Sequence, residues 1–408
     1  MSILSVFKNT ALLLFLLFSS CRGQEKELKN ISAHKEKDTL PEVQVAANRT
    51  ATYVHLLKDK AIGVVANQTS VIFKEGGNTH LVDSLISLKV NIKKVFAPEH
   101  GFRGKADAGE VVKDGVDTKT GLPIVSLYGK NKKPSKEQLQ GLDIVVFDIQ
   151  DVGVRFYTYI ATLQLVMEAC AENNIPIIVL DRPNPNGSYV DGPTMEKEHT
   201  SFLGMTTIPL VYGMTIGEYA KMINKEGWLA DEAVVDLTII PLENYTHDTD
   251  YSLSIRPSPN LPNDTSIHLY PSLGLFEGTN TNAGRGTEFQ FQWYGASFLD
   301  STQYDFSYVP QPNFGSKHPK EKGKTCFGRD LSNEKRMNTI SLKWLIDAYT
   351  NTLDKSKFFK TESFTKHAGT TELQKQIEVG LTEDEIKATW QEDLETFRKI
   401  RNKYLIYD

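Results

Sequence analysis

The stretch that most constrains what this chain can fold into is Gly141 to Ile160, GLDIVVFDIQDVGVRFYTYI. Its apolar run, Ile144-Val145-Val146-Phe147, is too short for a membrane span and rich in β-branched residues. A continuous apolar run without alternation suits a strand covered on both faces, as in a parallel sheet. Directly behind it stand Asp148, Gln150, Asp151 and Gly153, then Arg155-Phe156-Tyr157-Thr158-Tyr159. Core packing has no use for two carboxylates, an amide, a guanidinium and two phenols at the end of a buried strand. In open parallel sheets ligands bind in the crevice beyond the carboxyl ends of the strands, which places the active site here.

The pattern recurs along the chain. Ala61 to Ala66 is a short strand ending in Asn67-Gln68-Thr69-Ser70, and the strand around Lys94 to Ala97 ends in Pro98-Glu99-His100-Gly101. Ile175 to Leu180 ends in Asp181-Arg182-Pro183-Asn184. Helical stretches, His80 to Leu88 and Ala161 to Ala171, lie between these strands. Strands alternating with helices give an α/β protein with a parallel sheet and right-handed crossovers. One strand ending in Asp would be weak evidence, because Asp often caps the next helix. Four polar ends on one rim are evidence for a site.

Thr215 with Glu218 forms a capping box for a helix running to Trp228. A strand, Val234 to Ile240, closes a first domain over residues 48–247. From about Asp248 the composition shifts to Pro, Asn, Gly and Ser, through Arg256-Pro257-Ser258-Pro259-Asn260, Tyr270-Pro271 and Leu275 to Thr287. Loops this long in a compact protein are functional or disordered, and the glutamate, arginine and aromatics among them favour function. Glu372 to Tyr404 reads as amphipathic helix assigned to packing. Residues 248–408 form a second, smaller domain.

A net charge of -5 over 408 residues, with no block of basic residues, argues against nucleic acid as a partner. The three cysteines, Cys21, Cys170 and Cys326, are too few and too scattered for a disulfide framework or a zinc site. Cys170 lies in a helical stretch and reads as an inert buried thiol. At the N-terminus, Lys8, the apolar Ala11 to Phe18 and Ser19-Ser20-Cys21 make a secretory signal over residues 1–21. It looks like a lipoprotein signal with Cys21 as the lipidated residue; the alternative is a plain signal peptide cleaved nearby. Residues 22–47 are polar and charged and read as a flexible tether.

The chain lacks a glycine-rich phosphate loop, a His-Glu-x-x-His zinc helix and a Gly-x-Ser-x-Gly elbow, so neither cofactor nor metal is expected. Carboxylates in a crevice, surrounded by arginines, amides and aromatics, fit glycosidic bond cleavage, which needs a proton donor and a second carboxylate. Glu99 is the first candidate for the donor, since it follows an apolar strand; equally it could pair with Arg103 or His100 to shape its loop. His100 is a candidate acid/base partner or metal ligand, although a lone histidine beside a glutamate is more often an orienting hydrogen-bond donor. Asp148, Asp151 and Glu277 are candidates for the second carboxylate, although Asp148 could cap a turn. Arg155 and Arg285 are candidates to hold an anionic substituent, and Tyr157 and Tyr159 to stack on a sugar ring. Asn67, Gln150, Asp181, Arg182, Asn184, Asn280 and Thr287 complete the candidate substrate contacts, with Asp181 alternatively paired to Arg182.

Several of these segments, in this order, resemble one bacterial family. They are Pro98 to Gly104, Asp148 to Tyr159, Asp181-Arg182-Pro183-Asn184-Pro185, Pro257-Ser258-Pro259-Asn260, Phe276 to Asn280, Gly284-Arg285-Gly286-Thr287 and the ending Tyr404 to Tyr407. The family is that of the NamZ exo-β-N-acetylmuramidases, long described as a domain of unknown function, and the resemblance runs from about residue 48 to the C-terminus. It implies a Rossmann-like domain, a smaller C-terminal α+β domain and an active-site cleft between them. It implies release of a terminal, non-reducing N-acetylmuramic acid from peptidoglycan fragments without a nucleotide cofactor, and it carries the catalytic glutamate over to Glu99. The partners would then be peptidoglycan-derived saccharides, with the membrane touched only through a lipid anchor, in the periplasm or at the cell surface. An exo-glycosidase for another acidic amino sugar and a wall-sugar-binding lipoprotein without catalysis are the two alternatives.

Overall fold

In this computed structural model residues 42–104 and 114–408 are described. The signal segment, Cys21 and residues 22–41 of the tether lie outside the described residues. The central sheet has seven strands: β1 Ile62–Ala66, β2 Ile92–Ala97, β3 Gly115–Val116, β4 Pro123–Ser126, β5 Ile144–Asp148, β6 Ile177–Leu180 and β7 Leu237–Ile240. They lie in the order β7-β6-β5-β1-β2-β4-β3, and every pairing is parallel except that of the short edge strand β3 with β4.

β5 is central because its sequence lets it be nothing else. All five of its residues are buried, and it pairs with β1 on one side and β6 on the other. From β1 the chain runs outward through β2 to β4, then returns to the opposite side of β1 for β5, β6 and β7. The order reverses between β1 and β5, and that switch point is where an open sheet leaves a crevice above its strand ends. Alternate side chains of the strands divide between two apolar layers, Val65, Phe96, Val145 and Phe147 on one face, and Val64, Val95, Ile144 and Val146 on the other. The first layer continues without a break into the C-terminal part, through Phe276, Tyr294, Trp344, Phe364 and Phe397.

Helix Tyr159–Glu172 covers one of these faces, and helix Ile216–Lys225 starts at the Thr215–Glu218 capping box, with both of its hydrogen bonds present. After residue 264 the structure departs from the loop reading. Asp264–Leu273 is a helix, opened by an Asn263–Ser266 capping box and carrying Pro271 near its end. A three-stranded antiparallel sheet follows, Trp293–Ala296, Cys326–Asp330 and Phe306–Tyr308, with the strand Cys326–Asp330 in the middle. The C-terminal amphipathic stretch is three helices, Glu372–Glu378, Glu383–Thr389 and Gln391–Arg401. Gly380, at φ +82°, turns the chain after the first, and a Thr382–Glu385 capping box starts the second. Among the described residues no helix is long and apolar enough to cross a membrane.

Candidate active site

A cavity of about 320 Å³ opens over the strand ends. Its first wall comes from the loops after β2, β4 and β5: Glu99, His100, Tyr128 and Phe156 through Tyr159. Its second wall comes from the later half of the chain: Ser258, Asn260, Leu261, Tyr270, Glu277, Arg285, Phe291 and His367. Phe202 and Leu203 complete the lining.

Glu99 is presented by a strained turn. The Gly101 N–H donates to the Pro98 carbonyl at 3.0 Å, and His100 occupies the third position of that turn at φ +69°. A side chain other than glycine rarely adopts this conformation, and strain of this kind collects at functional sites. The carboxylate is half-buried. The Tyr128 hydroxyl donates to its Oε1 at 3.0 Å and the Thr158 hydroxyl to its Oε2 at 3.3 Å. Tyr159, at the first turn of its helix, donates to the Glu99 carbonyl at 3.4 Å. Hydroxyls from two other loops thus hold this carboxylate.

The floor is aromatic. Tyr157 meets Tyr159 edge-on at 4.9 Å, Phe156 meets Tyr270 at 5.1 Å, and Tyr270 meets Phe291 at 4.7 Å. The Tyr157 hydroxyl is fixed by the Pro257 carbonyl at 2.7 Å, so its ring belongs to the wall rather than to a mobile flap.

On the second wall Glu277 pairs with Arg285 at 2.9 Å, with the two side chains 24 % and 22 % exposed. Burial alone would push the Glu277 carboxyl up, but the charges of Arg285 and Lys320 outweigh it and hold the group down at about 2. Lys320 donates to the carbonyls of Phe276, Glu277 and Thr279, which fixes the turn that carries Glu277. His367 closes this wall from helix Thr361–Ala368.

Of the residues expected from the sequence, the structure brings Glu99, His100, Tyr157, Tyr159, Glu277 and Arg285 into this cavity. The others lie outside its lining. Asp148 is the last residue of β5, fully buried, and receives Arg182 Nε at 2.6 Å and Nη2 at 2.8 Å. Asp151 is buried against the Tyr212 hydroxyl and the Gly153 N–H, and burial raises its carboxyl to about 7. Asp181 collects Thr215, Gly217 and Tyr407 as donors, and burial raises it to about 6. Arg155 is 1 % exposed and donates to the carbonyls of Pro193, Ile208, His367 and Ala368. Its guanidinium bolts the two walls together and does not reach for an anion. Asn67 organises the turn after β1 through Thr69, and Gln150 bridges to the Pro183 carbonyl. Asn184 donates to the Met214 carbonyl and sits where Gly153, at φ +75°, has no room for a Cβ. Asn280 and Thr287 bond to the carbonyls of Lys357 and Gly284. Cys170 is buried, and that burial pushes its thiol up to about 12.

Sequence reasoning missed Tyr128, Thr158, Asn260, Tyr270, Phe291 and His367 as lining residues. Tyr128 follows an edge strand with no continuous apolar run, and His367 is one histidine on an amphipathic helix. Thr158 and Asn260 fall within the motif segments Asp148 to Tyr159 and Pro257 to Asn260, and Tyr270 within the loop stretch after Asp248. Among the described residues Glu196, Glu198 and His199 could hold a metal ion, with ligand atoms within 4.8 Å of one another, and none of them lines the cavity.

Two carboxylates on the two walls of one cavity, over an aromatic floor at the switch point of an open α/β sheet, define a carbohydrate-processing site. Residues 62–265 match the family described as exo-β-N-acetylmuramidase NamZ, N-terminal, and residues 268–407 its C-terminal counterpart. The chain belongs to this NamZ family. It is 39 % identical over 405 residues to the peptidoglycan β-N-acetylmuramidase NamZ of Bacillus subtilis, covering 93 % of this chain and 94 % of that one. Two crystal structures of DUF1343 family proteins from Bacteroides fragilis share the fold. One is 44 % identical with a TM-score of 0.83, covering 90 % of this chain and 99 % of its own. The other is 27 % identical with a TM-score of 0.74, covering 90 % and 100 %.

Proposed function

We propose that this protein is an exo-acting glycoside hydrolase that releases terminal, non-reducing N-acetylmuramic acid from peptidoglycan fragments, in the turnover and recycling of cell wall. The observation that carries the reading is the placing of two carboxylates, Glu99 and Glu277, on the two walls of one cavity. Glu277 is locked in an ion pair and stays ionised. Glu99, held on the first wall by the Tyr128 and Thr158 hydroxyls, carries the proton to the departing sugar oxygen. Glu277, whose charge is not consumed, serves as the second carboxylate, facing the positive charge that develops at the anomeric carbon. Asp148 and Asp151 are buried below the rim and take no part in the chemistry.

The aromatic floor fits a sugar ring, and Arg285 lines the cavity as a cation for the lactyl carboxylate of muramic acid. The apolar segment before Cys21 supports an exported protein, held by a lipid at that cysteine in the periplasm or at the cell surface. Fatty-acid labelling in the producing cell checks the anchor, and label retained in Cys21→Ser removes it. The decisive assay for the activity is incubation of residues 22–408 with the disaccharide MurNAc-GlcNAc, with products read by mass spectrometry. Release of free MurNAc is expected; an intact disaccharide with folded protein refutes the reading. The N- and C-terminal parts, 48–247 and 248–408, are read as two domains that each supply one wall.

A further inference from the structure

We infer that His367 is a substrate-contacting residue that accepts a hydrogen bond from a hydroxyl of the sugar held in the cavity, an inference that rests on reading that cavity as a sugar site. The argument begins with the tautomer. His367 Nδ1 lies 2.8 Å from the Ser363 carbonyl, one turn earlier on the same helix. A carbonyl oxygen only accepts, so Nδ1 carries the proton and Nε2 carries the lone pair. Nε2 has no hydrogen-bond partner among the described residues, and it is not one of the buried unpaired atoms. On a half-buried ring that lines the cavity, it therefore faces open space.

The helix that carries this acceptor is held at its end by Arg155. Arg155 Nη2 donates to the His367 carbonyl at 3.0 Å and to the Ala368 carbonyl at 2.6 Å. Gly369 follows at φ +85°, where a Cβ would come within 2.6 Å of the same guanidinium nitrogen. The ring itself packs at 5.5 Å from Phe156, part of the cavity wall. A guanidinium from the loop after β5 thus sets the position of a histidine on the opposite wall. A buried arginine spent on two helix-end carbonyls is explained when the residue they belong to must be placed to within a hydrogen bond.

The groups facing the imidazole are Glu277, which favours its charged form, and Lys320 and Arg155, which oppose it. Burial is the largest influence and keeps the ring neutral below the ordinary histidine range. A neutral acceptor is what a sugar hydroxyl needs, and protonation would replace the lone pair with a donor. Substrate binding through His367 is therefore present at neutral pH and lost as pH falls through that lowered value.

The test compares wild type, His367→Ala and His367→Gln as residues 22–408, measuring kcat and KM for MurNAc-GlcNAc from pH 5 to 8. Glutamine offers an uncharged acceptor near the Nε2 position and does not titrate in this range. The alanine variant should raise KM roughly tenfold or more at neutral pH, the size expected when a buried donor loses its partner. The glutamine variant should recover part of that loss and, with the titration carried down to the lowest pH at which the protein stays folded, should lack the acid-side rise in KM expected of wild type. An alanine variant with wild-type KM and an unchanged pH profile overturns the inference. So does a glutamine variant that keeps the acid-side rise. Binding of the same disaccharide to Glu99→Gln, measured by calorimetry, separates the premises: absent binding there and absent release by wild type refute the sugar-site reading instead.

Discussion

Replacing Asp148 by Asn tests the assignment of this carboxylate to structure rather than chemistry. Asp148 is 0 % exposed, and Arg182, at 2 %, meets it with two hydrogen bonds of 2.6 and 2.8 Å. Asparagine keeps the volume and one acceptor but leaves the guanidinium a buried, uncompensated charge, for which about 3–5 kcal/mol is the expected loss. Proteins gain entropy on unfolding at about 2.1 cal/mol/K per residue, so a chain of this size shifts by roughly 1.2 °C per kcal/mol. The expected fall in Tm is therefore about 4–6 °C, read by calorimetry. Because Asp148 sits in the β-ladder opposite Ala66, below the cavity, turnover per folded molecule should stay within a few-fold of wild type. A variant with unchanged Tm and abolished turnover would refute the reasoning and return Asp148 to the list of catalytic groups.

Tyr128→Phe removes one of the two hydroxyls that hold the Glu99 carboxylate; a hydrogen bond to a charged group contributes about 1.5–3 kcal/mol, so kcat should fall by roughly 10- to 100-fold with KM little changed. Steady-state kinetics on the disaccharide checks this, and an unchanged kcat contradicts it. Asp151 is held protonated up to about 7 by burial, above the ordinary carboxyl value. The folded state then binds more protons than the unfolded one, so this group's contribution to stability is present at low pH and lost as pH rises towards 7. Asp151→Asn should remove that slope, measured as urea midpoints at pH 5 and pH 8; an unaltered slope argues against a protonated Asp151.

The parallel sheet was legible because β5 and its neighbours are covered on both faces, and such strands write an unbroken apolar run. The edge was not: Gly115–Val116 is exposed, Pro123–Ser126 is only partly buried, and neither carries that signal. Helix Asp264–Leu273 was hidden by Pro271, which the last turn tolerates, and by the turn-forming residues around its Asn263 cap. The polar strand ends did mark the rim, yet the rim has depth. Asp148 and Asp181, at or next to the last strand residue, turn inward to Arg182 and Thr215, whereas Glu99, two residues past β2, reaches the cavity. Arg155 shows the harder limit. A guanidinium held by four carbonyls and one waiting for an anion have the same sequence signature, and only the fold distinguishes them. His367 was invisible for the converse reason, since its role depends on an arginine more than two hundred positions away.

The central claim is that Glu99 delivers the proton, and the most direct test varies how much the leaving group needs one. Glu99→Gln should be measured against MurNAc-GlcNAc, whose leaving sugar hydroxyl must be protonated, and against 4-nitrophenyl MurNAc, whose leaving phenolate need not be. A general acid contributes about 10²–10⁴-fold, so turnover of the disaccharide should fall by that factor while the nitrophenyl substrate is much less affected. Undiminished hydrolysis of the disaccharide by Glu99→Gln, or an equal loss on both substrates, would contradict it.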